Sequence, residues 1–185
     1  MSDTNTIKIH TEGTPNPNAL KFVIDKTIIE KGSYSFSSKE KAKDSPLALK
    51  LFEIKNVEEV FFGKDFITLS KSTGSAWELI YDKAIEIITK HLESGELILL
   101  KLEEKNISAS SDIEERILEI IDSQIRPAVA SDGGDIIFDS YKDGILRLHM
   151  QGSCKSCPSA VMTLKAGIES LLKKQIPELK EVISI

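Results

Sequence analysis

Cysteine is nearly absent from this chain: its 185 residues carry two, Cys154 and Cys157. A basic excess is missing as well. The 24 Lys and Arg against 29 Asp and Glu leave a net charge of −5. That balance disfavours nucleic acid as a partner, since polyanion binding needs a positive surplus or stripe. No apolar run approaches the roughly 20 residues that span a bilayer, so no membrane partner is expected. The opening Met1-Ser-Asp-Thr-Asn-Thr6 lacks the apolar core of a signal peptide and the Arg-rich amphipathic character of a transit sequence. These absences predict a cytoplasmic protein, in a compartment that keeps thiols reduced. There a Cys-x-x-Cys pair is expected to bind metal or do redox work rather than act as a structural staple.

Hydrophobic residues at 41% and charged residues at 29% are ordinary for a globular protein. The length allows one large domain or two small ones, and the pattern along the chain predicts two. In the first, Ile7 and Ile9 alternate with polar neighbours, Thr14-Pro-Asn-Pro-Asn18 is a turn-rich loop, and Leu20 to Ile24 reads as a strand. After a polar region, Ser45 and Pro46 have the form of an N-cap followed by proline at the first helical position. Val57 to Phe62 and Phe66 to Leu69 read as a hairpin about Gly63-Lys64-Asp65. Ser75 is expected to cap a helix carrying Trp77, Ile80, Ala84 and Ile88 to its end near Gly95. The polar tail of residues 96–110 reads as a linker.

The second unit opens at Ser111, with Glu114 at capping-box spacing. Its helix carries Ile113, Ile117, Ile120, Ile121 and Ile125, and Pro127 is expected to disturb it. Ser131-Asp-Gly-Gly-Asp135 turns into a strand, Lys142-Asp143-Gly144 turns the chain back into Ile145 to Met150, and a helix from Pro158 to Lys174 follows. Val182 to Ile185 then reads as a strand reached by a crossover, hence parallel to an earlier one. The predicted class is α+β: two small domains, each a small sheet packed with helices, with a mixed sheet in the second.

The two cysteines stand in Gly152-Ser-Cys-Lys-Ser-Cys-Pro158, between a strand and a helix. Two thiolates are half of a four-ligand metal site, so the most economical reading is a homodimer holding a centre across its subunit boundary. A helix N-terminus and Lys155 are expected to lower the thiol pKa. Three chemistries share this spacing. An iron–sulfur cluster, [4Fe–4S] or [2Fe–2S], takes four thiolates from two chains. Tetrahedral zinc satisfies the same count. A thioredoxin-like dithiol oxidoreductase needs only one chain. Against the last, no tryptophan precedes the first cysteine, and proline follows the pair instead of lying within it.

The extended motif carries a resemblance. Asp132-Gly-Gly-Asp135, the run Leu148-His-Met-Gln-Gly-Ser-Cys-Lys-Ser-Cys-Pro-Ser-Ala160 and Thr163-Leu-Lys-Ala-Gly-Ile-Glu169 resemble the NifU-type C-terminal domain of Nfu iron–sulfur proteins. Thr14-Pro-Asn-Pro-Asn-Ala-Leu-Lys-Phe22, Ser45-Pro-Leu-Ala48 and Val60-Phe-Phe-Gly-Lys-Asp-Phe-Ile-Thr68 resemble the Nfu N-terminal domain. The resemblance implies an Nfu N-terminal domain at 1–95, a linker at 96–110 and a cluster-binding domain at 111–185, with a three-stranded mixed sheet in the last. It implies a scaffold or carrier and not an enzyme. The family's cysteine pair corresponds to Cys154 and Cys157, which would hold a labile [4Fe–4S] cluster between two subunits, [2Fe–2S] being the lesser expectation. The implied partners are a second copy of the chain, upstream cluster-assembly proteins and apo iron–sulfur client proteins.

Other residues read more plainly. His149 shares a strand face with Arg147 and Ile145 and is expected at the surface. Asp132 and Asp135 read as turn formers, Trp77 as core, and Arg126 as the partner of a carboxylate. The Thr14–Asn18 loop reads either as a client contact or as a structural turn.

Overall fold

The computed structural model describes residues 6–100, 111–155 and 158–185. Part of the expected linker, and Cys157 itself, lie outside the described residues. The class is α+β, with one five-stranded sheet and one three-stranded mixed sheet.

The first sheet is built from β1 (Ile9–Gly13), β2 (Ala19–Ile24), β3 (Tyr34–Phe36), β4 (Val57–Phe62) and β5 (Phe66–Lys71) in the order β1-β2-β5-β4-β3, all antiparallel. Strand β3 and a short 3-10 turn at Lys39–Ala42 occupy the stretch that composition alone marks as a polar region. Three strand residues are too few to show alternation. Helix α1 (Pro46–Leu51) starts as its residues require: the Ser45 hydroxyl accepts from the Ala48 N–H at 3.1 Å, and Pro46 fills the first turn where no donor is needed. Helix α2 (Tyr81–Ser94) ends on Gly95 at φ 70°. Ser75 does not cap it. Its hydroxyl donates to Ser72 O, and a 3-10 turn at Trp77–Leu79 intervenes. Trp77 lies half-buried at the edge of the core, with Lys71 Nζ 5.6 Å from its ring.

One face of the sheet packs Phe22, Val60, Phe62, Ile67 and Leu69 against Leu47, Leu51, Ile80, Ala84 and Ile88 of the helical layer. Each such side chain contributes about 1.5–3 kcal/mol on full burial.

The second unit begins with α3 (Asp112–Ile120), capped by Ser111, whose hydroxyl accepts from Glu114 N at 3.3 Å. Pro127 does not end this helix. The chain widens into a π-helical turn at Ile121–Ile125 and continues as α4 (Arg126–Ser131). A proline has no N–H for the carbonyl four residues back and collides with it, and a wider turn relieves that collision. Strands β6 (Gly134–Lys142) and β7 (Ile145–Gly152) form a hairpin whose two turn residues, Asp143 and Gly144, sit at φ 55° and 85°. Helix α5 (Pro158–Gln175) then crosses to β8 (Glu181–Ser184), which runs parallel to β7. Ile117, Ile121, Val129, Ile136, Leu146, Leu148 and Leu172 fill this second core.

The other face of the first sheet is covered too. Register pairs Glu12 with Lys21, Lys21 with Thr68, Thr68 with Phe61, and Phe61 with Ser35, so one row of side chains crosses all five strands. The middle of this row lies against the second unit, leaving Lys21 at 8%, Thr68 at 1% and Phe61 at 1% exposure.

Candidate functional site

Strand β7 ends at Gly152, which pairs with Gly134 of β6. The turn beyond it carries Cys154. Gly152 has φ +67°, and a Cβ there would stand 2.6 Å from the Gly133 carbonyl oxygen, so only glycine fits. Gly133 O accepts from Ser153 N at 3.2 Å and from Thr68 Oγ1 at 2.7 Å. The Ser153 hydroxyl donates to Asp132 O and lies 3.7 Å from Cys154 Sγ. Lys155 N closes the turn on Gly152 O at 3.1 Å. Helix α5 starts at Pro158, where the sequence places it.

Cys154 packs into the core of the second unit and is 4% exposed. Its thiol pKa is raised, chiefly by burial; the Ser153 hydroxyl opposes this and the charges of Asp132 and Asp135 add to it. The expectation of a lowered pKa is therefore corrected for Cys154. In this arrangement desolvation and two carboxylates outweigh the Ser153 hydroxyl. Cys157, the other expected ligand, lies outside the described residues. Among the described residues, no group of three or more His, Cys, Asp or Glu side chains forms a metal cage.

Residues of the first unit hold the cysteine turn, and the sequence reading did not assign them. The Asn16 side chain caps its own loop by accepting from Asn18 N at 2.9 Å, while its Nδ2 donates to Ser153 O at 3.3 Å. The Thr14–Asn18 loop is thus a structural turn that also braces the cysteine turn. Lys21 Nζ reaches Ser131 O at the end of α4 at 3.4 Å, pairs with Glu12 at 3.0 Å, and sits 4.8 Å from the Phe66 ring centre. Ser33 Oγ donates to Asp135 Oδ2 at 2.5 Å. Glu59 accepts from Ser35 at 2.8 Å; its pKa is raised by burial, with Ser35 and the charge of Lys155 acting the other way. One signal was available: Lys21 and Thr68 are polar strand residues, each flanked on both sides by apolar ones.

The expectations for Arg126, Asp135 and His149 hold in the structure. Arg126 lies 2.6 Å from Asp122 and 3.3 Å from Asp135. Asp135 also turns its own chain, its Oδ1 accepting from Ile136 N at 2.8 Å. His149 is exposed, 3.5 Å from Asp139.

Fold and turn together define a two-unit protein with a thiol-bearing turn at the junction of its units. A family model described as scaffold protein Nfu/NifU N terminal matches residues 9–95, and one described as NifU-like domain matches residues 117–183. The chain belongs to the Nfu/NifU family of scaffold proteins. It is 42% identical over 190 residues to the NFU1 iron-sulfur cluster scaffold homolog, mitochondrial, of Drosophila ananassae, covering 98% of this chain and 65% of that protein. It is 43% identical over 185 residues to the protein of the same name from Drosophila willistoni, covering 96% and 63%. The chain therefore spans a little under two thirds of these relatives. The solution NMR structure of a NifU-like protein from Saccharomyces cerevisiae aligns at TM-score 0.49 and 30% identity, over 55% of this chain and 92% of that one.

The cytoplasmic expectation is overturned by the relatives, which are named mitochondrial. It rested on the composition of a few residues and on reduced thiols, and a thiol pair suits any reducing compartment equally. Among the described residues no helix is long and apolar enough to cross a membrane.

Proposed function

We propose that this chain is an iron–sulfur cluster scaffold and carrier, in which Cys154 and Cys157 of two copies bind one [4Fe–4S] cluster and release it to apo iron–sulfur proteins. The cluster is cargo, and the chain catalyses no turnover of a small substrate. In this reading residues 1–95 and 111–185 are the two domains, 96–110 joins them, and upstream assembly proteins supply the cluster. The observation that carries it is the glycine-fixed turn at the end of β7, which bears Cys154 in a chain of a family of scaffold proteins. Relatives named as iron–sulfur cluster scaffolds support it across 96–98% of the chain.

The donor set fits the cargo. Soft thiolates suit iron–sulfur cores, four are required, and each copy brings two. The Ser153 hydroxyl lies 3.7 Å from Cys154 Sγ and acts to lower the thiol pKa, against the effect of burial. Ligand exchange with an incoming thiolate, one sulfur at a time, would pass the core on without any net oxidation or reduction.

Anaerobic reconstitution followed by iron, sulfide and zinc analysis tests the reading. About four iron and four sulfide per pair of chains, lost in Cys154→Ser and in Cys157→Ser, is the expected result. Stoichiometric zinc without sulfide would replace the carrier by a zinc-bridged dimer. Disulfide reductase activity of the metal-free monomer would replace it by a dithiol oxidoreductase.

A further inference from the structure

From the contacts at the junction we infer that the first sheet is a removable cover for the cysteine turn, so that the two units must part before Cys154 can meet a second chain. The consequence for loading rests on the proposed function; the cover itself rests on geometry.

The sheet and its adjoining loops meet the second unit at and around the turn with four side chains. Asn16 holds Ser153 O, Thr68 holds Gly133 O, Lys21 holds Ser131 O, and Ser33 holds Asp135. The Phe61 ring closes the space over Gly152, where a Cβ would stand 3.1 Å from its Cδ1. A sulfur–metal bond is about 2.3 Å long, so a shared core must touch the sulfur directly. Cys154 is 4% exposed, seated on the second core in a turn whose preceding residue, Ser153, the first unit holds, and while that turn is clamped it offers no such approach to a second copy.

The character of the junction suits a cover. It is held largely by hydrogen bonds to backbone carbonyls, which exchange readily for water, with one aromatic ring at its centre. Junctions of this polar kind resemble transient interfaces, and domain motion is their default. The apolar clusters of the two units are separate, so parting them exposes the row Lys21, Thr68 and Phe61, leaves the first core closed, and frees the turn that seats Cys154 on the second. The closed chain would be a storage form, and opening would gate both dimerisation and loading.

Thiol alkylation of the metal-free full-length protein tests the cover without any cluster. Trypsin cleaves after Lys155, which places Cys154 and Cys157 on separate peptides, so mass spectrometry reads each thiol alone. Thr68→Arg puts a long cation into the covered row, and Ser33→Asp sets a carboxylate against Asp135 without touching either core. Alkylation of Cys154 is expected to rise about tenfold or more in both variants relative to wild type, as for a site whose reaction is limited by an opening equilibrium. Added salt is expected to shrink the Ser33→Asp effect, since it screens like charges. An unchanged Cys154 rate in Ser33→Asp, with its thermal midpoint preserved, overturns the cover whatever Thr68→Arg does.

Reconstitution separates the two readings. Faster initial iron and sulfide uptake in the opened variants supports gating of loading, and equal uptake overturns gating. If Cys154 is uncovered by both variants but no variant takes up iron and sulfide, the scaffold reading fails and the cover stands.

Discussion

Asn16 and Ser153 lie 137 positions apart, and the side-chain amide of the first donates to the backbone carbonyl of the second at 3.3 Å. The same side chain accepts from Asn18 N at 2.9 Å, so one residue shapes its own loop with its oxygen and braces the cysteine turn with its nitrogen.

The two roles of Asn16 separate by substitution. Asn16→Asp keeps the loop-shaping oxygen and replaces the donor by a second acceptor facing a carbonyl. It is expected to cost about 1–3 kcal/mol, the range for a buried polar group left unsatisfied. Asn16→Ala loses both bonds and is expected to cost at least as much. Urea denaturation followed by circular dichroism measures both, and an Asn16→Asp protein as stable as wild type would remove the brace from the account.

Two glycines should respond in opposite directions. Gly152→Ala forces a side chain onto positive φ and against Gly133 O, and is expected to lower the melting temperature clearly or to abolish folding of the second unit. Gly167 lies within α5 with nothing within 4 Å of the position a Cβ would take. Gly167→Ala is expected to stabilise by about 0.5–1 kcal/mol through helix propensity. Scanning calorimetry of the pair checks the sign of each.

His91 gives the first unit a pH dependence. It is 1% exposed, its Nδ1 lies 3.0 Å from Glu96 and 3.3 Å from Lys50 Nζ, and its Nε2 has no hydrogen-bond partner among the described residues. Burial first, and Lys50 second, hold its pKa below the ordinary 6.5, against the opposing pull of Glu96. Below pH 6.5 the unfolded chain therefore binds a proton that the folded chain refuses, and stability falls as pH falls toward the folded value. His91→Leu is expected to flatten that slope. An unchanged slope in thermal melts would contradict the assignment.

Glu59 acts with the opposite sign. Its carboxyl holds its proton above the ordinary 4.5 because it is buried, so the folded chain binds more protons and stability falls as pH rises through that window. Glu59→Gln retains an acceptor for Ser35 and is expected to remove the fall. Titration of folded wild-type and variant protein by urea midpoint against pH reads the difference directly.

Local chemistry was legible in the residues, and contacts between the units were not. Ser45 with Pro46, Ser111 with Glu114, and Asp143 with Gly144 each satisfy a backbone need within a few residues, so their caps and turns were foreseeable. The parallel strand β8 followed from strand, helix, strand order. Strand β3 was too short to alternate, and the π-turn before Pro127 is a relief of strain that no residue type announces. The buried state of Cys154 was illegible for a different reason. A helix start and Lys155 argue locally for an acidic thiol, whereas Cys154 packs into the second core and its turn is held by Asn16, Thr68 and Phe61, far away in the chain. Lys21 and Thr68 are polar and would ordinarily face water, and only the second unit lying on them reverses that.

Native mass spectrometry of anaerobically reconstituted full-length protein tests the central claim most directly. The account predicts a species of two chains bearing about four iron and four sulfide, reduced to bare chains by Cys154→Ser or Cys157→Ser. A single chain carrying the full inorganic complement, or a double serine variant that keeps its iron, would contradict it.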